Sequence, residues 1–210
     1  MSNEKTCKVV LVGESGVGKT SIISRYVSDT FSAVLVSTTG ACFSSKKITY
    51  ENNVDINFEI WDTAGQERYR ALTKVFYKSA TVCILVYDIT RKNSFDELKK
   101  YWINEIKENA SEGIILAVVG NKSDMYEFEQ VNTNDGMKFA QDVGAIFQLT
   151  SAKKSLGINE LFLSIGERFV HPDKDIDSNL TKEQLENKRR QKLINEVREE
   201  EEGKKKKGCC

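Results

Sequence analysis

Proline is nearly missing: Pro172 is the only one in 210 residues, against about five per cent in average usage. All proline punctuation therefore falls at one point, close to where the composition of the chain changes. Histidine is as scarce. His171 is the only one, and its place suggests a helix-end residue rather than a catalytic base or metal ligand. Five cysteines, at 7, 42, 83, 209 and 210, are odd in number and lack metal-ligand spacing. With no amino-terminal signal peptide in the sequence, they lead us to expect a reducing cytosol rather than a disulfide framework. Long apolar runs are absent too. The longest, near 82–87 and 114–120, are far too short to span a bilayer. Neither sign of charge prevails, with Lys+Arg and Asp+Glu equal at 31 each, so no nucleic-acid partner is expected.

What is present reads as a soluble globular domain with an appendage: 40% apolar, 30% charged. The organising stretch is Gly13-Glu14-Ser15-Gly16-Val17-Gly18-Lys19-Thr20. An apolar strand-like run, 8–12, precedes it, and residues 21–27 follow with helical spacing. Strand, Gly-x-x-x-x-Gly-Lys-Thr, helix is a phosphate-binding loop in its required context. Glycine lets the backbone curl with its N–H groups inward, where they and the positive end of the helix suit phosphate oxygens. Ser15, Gly16, Val17, Gly18 and Ser21 are thus candidate contacts. Lys19 supplies a cation near the β- and γ-phosphates, and the Thr20 hydroxyl suits Mg²⁺.

Farther on, strands alternate with helices. Val54, Ile56, Phe58 and Ile60 alternate with polar residues, and Glu51-Asn52-Asn53 reads as a turn. This predicts an antiparallel hairpin of 41–50 and 54–61. Residues 81–88 and 114–120 read as strands buried on both faces, and 145–149 as a last short strand. Phe95, Leu98, Trp102 and Ile106 lie at helical spacing, and so do Ile158, Leu161, Phe162, Ile165 and Phe169. The expected fold is α/β: a six-stranded, mostly parallel sheet with one antiparallel edge strand and helices on both faces. In such sheets the ligand lies beyond the carboxyl ends of the strands.

Further motifs fall at those ends. Asp62, in Trp61-Asp62-Thr63-Ala64-Gly65-Gln66, suits a Mg²⁺ anchor acting through water. Gly65 permits close approach to a terminal phosphate, and Gln66, both donor and acceptor, suits the orienting of an attacking water. In Asn121-Lys122-Ser123-Asp124, the Asp124 carboxylate can accept two hydrogen bonds from guanine, a pair adenine does not offer. Asn121 would support that loop and Lys122 stack on the base. Ser151, Ala152 and Lys153 follow the last strand and could offer N–H groups to the guanine oxygen.

Together, 13–20, 62–66, 121–124 and 150–153 resemble the first, third, fourth and fifth boxes of small Ras-like GTPases. The resemblance places the switch I threonine at Thr38, nineteen residues beyond Lys19. Its implied role is to bind Mg²⁺ through its hydroxyl and the γ-phosphate through its backbone. Phe31 matches the aromatic that packs on guanine. Within that superfamily the chain is similar to Rab proteins, through Thr39-Gly40-Ala41-Cys42-Phe43, Gln66-Glu67-Arg68-Tyr69 and Leu85-Val86-Tyr87-Asp88-Ile89-Thr90. Residues 37–43 look most like the early-endosomal branch. Phe43, Trp61 and Phe76 match the aromatic triad read by effectors, each having ordinary core packing as its plain alternative. Thr39, Phe76, Leu149 and the apolar run 33–36 depart from the family pattern.

Residues 1–170 are thus read as the GTPase domain, expected to be monomeric, and 171–210 as a flexible tail with 11 Lys+Arg and 10 Asp+Glu. A solvated linker and a partner-docked helix both remain open for 181–202. Four lysines, 204–207, stand before Gly208-Cys209-Cys210. In Rabs such paired cysteines receive geranylgeranyl groups, and two chains, or one chain plus basic residues, hold a membrane.

The resemblance implies GTP/GDP and Mg²⁺ as cofactors. It also implies an exchange factor, a GTPase-activating protein, a Rab escort protein or GDP dissociation inhibitor, a geranylgeranyl transferase and effectors. The place implied is the cytoplasmic face of an endomembrane, in exchange with the cytosol. The expected activity is slow GTP hydrolysis within a trafficking switch. The alternative is a GTP-binding, effector-recruiting module with negligible hydrolysis.

Overall fold

The computed structural model describes residues 3–33, 38, 40–50, 54–63, 76 and 78–172. Thr39, Gly65, Gln66, Cys209, Cys210, the stretch 34–37 and the tail from 173 lie outside the described residues. The described elements belong to one unit, Met1–Val170. They run β1 (Asn3–Val12), α1 (Lys19–Ser28), β2 (Ala41–Tyr50), β3 (Val54–Thr63), β4 (Val82–Asp88), α2 (92–109), β5 (Ile115–Asn121), a 3₁₀ turn (Ser123–Phe128), α3 (Thr133–Asp142), β6 (Ile146–Leu149) and α4 (Ile158–Val170).

All six strands form one sheet, ordered β2-β3-β1-β4-β5-β6, with β2 antiparallel to β3 and every other neighbouring pair parallel. The expected α/β class and antiparallel edge strand are both present. β1 is longer than its apolar run. It starts at Asn3 because nine of its residues, Asn3 to Leu11, pair in register with β3 from Val54 to Asp62. Backbone pairing extends the strand past the point where its side chains are apolar.

The unbroken apolar runs are explained by the two faces they serve. In β1, Val9 and Leu11 pack with Ile22, Tyr26 and Phe162 on the α1/α4 side, while Val10 and Val12 pack with Phe95, Leu98 and Trp102 of α2. β4 divides the same way, Ile84 and Val86 against Cys83, Leu85 and Tyr87. Period-two alternation across two covered faces leaves no position for a polar side chain. On the first face Tyr26 stacks on Phe162 at 3.6 Å, and Phe58 meets both rings edge-on.

In α2 the residues Leu98–Trp102 take a π-helical turn between two α-helical stretches. Leu98 and Trp102 remain buried through it. α4 stops at Val170, and Pro172 follows two residues later, as the sequence predicts.

Candidate functional site

Five parallel strands end on the same side of the sheet, and the chemistry-bearing residues gather there. The loop after β1 is folded tightly. Gly13 has φ 140°, and a Cβ there would stand 2.2 Å from the Val86 carbonyl oxygen. Gly18, at φ 98°, starts α1, and a Cβ on it would stand 2.3 Å from Asn121 Nδ2. No side chain caps α1, whose positive end is thereby turned to the loop. Val17 is fully buried and anchors the loop, while Gly16 is exposed.

Lys19 opens α1 and turns back across the loop, its Nζ donating to the carbonyls of Gly13 at 2.8 Å and Glu14 at 2.9 Å. It is only 6% exposed. Burial lowers its pKa to about 8, with the charge of Asp62 opposing that shift and Arg91 adding to it. A buried ammonium held by two neutral carbonyls suits an anionic ligand that would complete its solvation.

Thr20, the second residue of α1, meets the end of β3. Thr20 Oγ1 donates to Asp62 Oδ2 at 2.6 Å and stands 3.1 Å from Thr38 Oγ1. Asp62 is buried, and its Oδ1 has no hydrogen-bond partner among the described residues. Burial raises its pKa, against the opposing pull of Thr20 and Lys19. Two hydroxyls and a carboxylate with an unpartnered buried oxygen form a hard oxygen donor set, and this fits Mg²⁺.

The base side is equally interlocked. Asn121 Nδ2 donates to the Val17 carbonyl at 2.8 Å, while its Oδ1 accepts from Thr150 Oγ1 at 3.1 Å and the Ala152 N–H at 3.4 Å. One buried amide thus joins the phosphate-type loop to both base-type loops. Asp124 Oδ1 accepts from Ser151 Oγ at 2.5 Å. Lys122 adopts φ 67°, a left-handed turn, and its Nζ reaches Asp88 Oδ2 at 2.7 Å. Lys153 is exposed at the rim, Ser21 is half-buried on α1, and Phe31 stands 38% exposed beyond α1. Of the residues expected at the nucleotide site, Gly65 and Gln66 fall outside the described residues, as do the lipidation residues Cys209 and Cys210.

A Ras family model matches residues 8–171. Rab-22A of Homo sapiens is 42% identical over 171 residues, covering 81% of this chain and 87% of that protein. Human Rab-31 is 42% identical over 161 residues, covering 77% and 82% respectively. The GTP-binding protein ypt5 of Schizosaccharomyces pombe is 41% identical, covering 80% and 79%. The chain belongs to the Ras family, as a Rab GTPase.

A Rab GTPase binds guanine nucleotide, hydrolyses GTP, acts in vesicle trafficking and works through regulators and effectors. The surface expected to meet effectors is contiguous here. The Phe43 and Trp61 rings lie 5.2 Å apart on paired positions of β2 and β3, and Trp61 and Phe76 lie 5.0 Å apart. Phe43 is 52% exposed, while Trp61 and Phe76 are partly buried. Core packing thus describes Trp61 and Phe76 in part, and Phe43 not at all.

Three residues of the site were not picked out from the sequence. Asp88 is fully buried beside Lys122, Arg91 reaches the phosphate-type loop, and Arg25 Nε donates to the Ala152 carbonyl at 2.9 Å. A usable signal existed for Asp88 alone, a carboxylate closing an otherwise apolar buried strand.

Proposed function

We propose that this Rab GTPase is a membrane-anchored timer that alternates between GDP and GTP states and recruits effectors only in the second. The observation that carries the reading is the meeting of Thr20, Thr38 and Asp62 beside Lys19, with one buried carboxylate oxygen left over. Thr20 and Thr38 would hold Mg²⁺, with Asp62 acting through water. The ion would supply charge neutralisation for the β- and γ-phosphates.

The chain's own residues do the rest. Lys19 carries positive charge to the phosphates, and the amides of 15–20 line them. Asp124 accepts two hydrogen bonds from guanine, supported by Ser151, while Lys122 and Phe31 cover the base, and Ala152 and Lys153 close the pocket around its oxygen. Gln66 orients water for in-line attack on the γ-phosphorus, the bond to the β-phosphate oxygen breaks, and GDP and phosphate leave. Departure of the γ-phosphate frees Thr38 and Gly65 and relaxes the segments that carry them.

Arg91 stands at the phosphate loop but is committed to the Ser15 carbonyl and Asp88, and no other described residue supplies an arginine for this step, so hydrolysis is slow and an activating protein completes it. An exchange factor resets the switch. Residues 1–170 act as the monomeric GTPase domain and 171–210 as its tether. Cys209 and Cys210 receive prenyl groups from a geranylgeranyl transferase with an escort protein. A GDP dissociation inhibitor carries the lipidated form between the cytosol and an endomembrane, of endosomal type. Phe43, Trp61 and Phe76 present the effector surface.

The test is single-turnover hydrolysis of GTP and ATP by unprenylated protein, wild type beside Gln66→Leu. GTP-only turnover on the order of 10⁻⁴ s⁻¹, as for intrinsic Ras-type hydrolysis, reduced further by the substitution, supports the timer. Turnover of ATP at a similar rate, or no effect of the substitution, overturns it.

A further inference from the structure

We infer that Arg91 is a positioning residue that locks the phosphate loop to the guanine loop, and so governs both nucleotide retention and selectivity for guanine. This rests on the reading that residues 13–20 hold the phosphates and 121–124 the base.

The argument starts at Asp88, the last residue of β4, whose side chain is 1% exposed. A carboxylate so buried must find donors, and it has four. Oδ1 accepts from the Thr90 N–H at 2.9 Å and Thr90 Oγ1 at 2.7 Å. Oδ2 accepts from Lys122 Nζ at 2.7 Å and Arg91 Nε at 3.2 Å. One oxygen therefore holds two cations that come from different loops.

Arg91 has more to give than its Nε. Its Nη2 donates to the Ser15 carbonyl at 2.9 Å, 76 residues away in sequence. The guanidinium also lies against Gly16, where a Cβ would stand 3.7 Å from Nη2 and 3.9 Å from Nη1. The planar fork thus spans two acceptors, a carboxylate and a loop carbonyl, which one ammonium cannot do in the same geometry. Arg91 is held in turn from behind. Its N–H donates to the Asp88 carbonyl at 3.0 Å, and its carbonyl accepts from Ser94 Oγ at 2.6 Å.

The result is a continuous path: Ser15 carbonyl, Arg91, Asp88, Lys122. It ties the outer wall of the phosphate loop to the lysine flanking the base. It runs beside the direct Asn121–Val17 bond but on the solvent side of the site, since Arg91 is 42% exposed and Asn121 only 2%. Opening of the nucleotide site requires the two loops to separate, so the bridge opposes release. It also fixes Lys122 relative to the phosphates, and hence the depth at which guanine meets Asp124.

The test uses full-length protein and fluorescent GDP displaced by excess unlabelled nucleotide. Wild-type retention of GDP against excess ATP first establishes the underlying reading. Arg91→Gln and Arg91→Lys are then compared. Both should release GDP on the order of fivefold faster, the scale of the net contribution of one typical hydrogen bond. Both should also narrow the preference for GDP over inosine diphosphate, which lacks the amine that Asp124 reads. Wild-type release by Arg91→Lys would overturn the inference, reducing Arg91 to a counter-ion for Asp88. Faster release with an unchanged guanine preference would overturn the coupling of the two loops.

Discussion

Thr20 and Asp62 are 42 residues apart in the chain, yet the Thr20 hydroxyl donates to the Asp62 carboxylate at 2.6 Å. The contact exists because α1 starts within the loop after β1, and β3, which carries Asp62, is hydrogen-bonded to β1 itself. On the proposed function, this pair is where Mg²⁺ enters. Thr20→Ala should therefore release GDP roughly tenfold faster than wild type, given the strength of contacts to charged groups. EDTA should accelerate release from wild type strongly and from the variant little. An equal EDTA response in both would place the metal elsewhere.

Gly13 is an explicit steric requirement. Its φ of 140° lies where side chains are strained, and its Cβ would meet the Val86 carbonyl at 2.2 Å. Backbone strain of this kind costs about 1–3 kcal/mol before the clash is counted. Gly13→Ala should lower Tm by roughly 4–8 °C for about 2 kcal/mol in a domain of this size. Gly144→Ala is the comparison, because its φ of 67° is strained while a Cβ there meets nothing within 4 Å. If calorimetry finds the two variants equally destabilised, the Val86 contact has no part in the effect.

Much of this fold is legible in the sequence because its sheet is covered on both faces. Runs such as Val82-Cys83-Ile84-Leu85-Val86-Tyr87 have no wet side and read directly as buried strands. That Lys19, Thr20, Asp62, Asn121 and Asp124 gather at one end of the sheet was legible because their motifs follow strands that run parallel. The start of β1 was not, since Asn3 to Thr6 are strand through pairing with β3 and not through their side chains. Arg91 was hidden for another reason. One arginine among 31 basic residues carries no local signal, and its two acceptors, on Asp88 and Ser15, become neighbours only when β4 is laid beside β1.

Two phenylalanines should respond in opposite ways to truncation. Phe162 is 1% exposed, stacked on Tyr26 and edge-on to Phe58. Phe162→Ala should cost about 3–5 kcal/mol, as a large cavity opened in a packed core. Phe43 is 52% exposed at the rim of the Trp61 ring. Phe43→Ala should stay within about 1 kcal/mol of wild type and leave intrinsic GTP hydrolysis unchanged. A large stability loss at Phe43, read by urea denaturation, would mark it as part of the core and weaken its assignment to the effector surface.

The thiols divide by burial, and the division is readable through pH. Cys7 and Cys83 are fully buried and Cys42 is exposed on β2. Burial pushes the Cys7 thiol up to about 12 and raises Cys83 as well, because the thiolate would have to form without water. The thiolate is the reactive species, so iodoacetamide at pH 8 to 9 should label Cys42 and spare Cys7 and Cys83 until the protein is denatured. The sign of the linked stability effect follows. A folded pKa raised above the thiol's ordinary value of 9.0 means that the native state holds a proton the unfolded chain has lost. Stability from this source is full below pH 9 and falls as pH rises toward the folded value. Each thiol withdraws up to about 1.4 kcal/mol per pH unit in that window. Urea midpoints should therefore drop between pH 9 and 10, at the same pH where Cys7 and Cys83 first become labelled through unfolding. Labelling of Cys83 at pH 8 with an unchanged midpoint would mean that β4 opens locally, against its burial between α2 and the α1/α4 face.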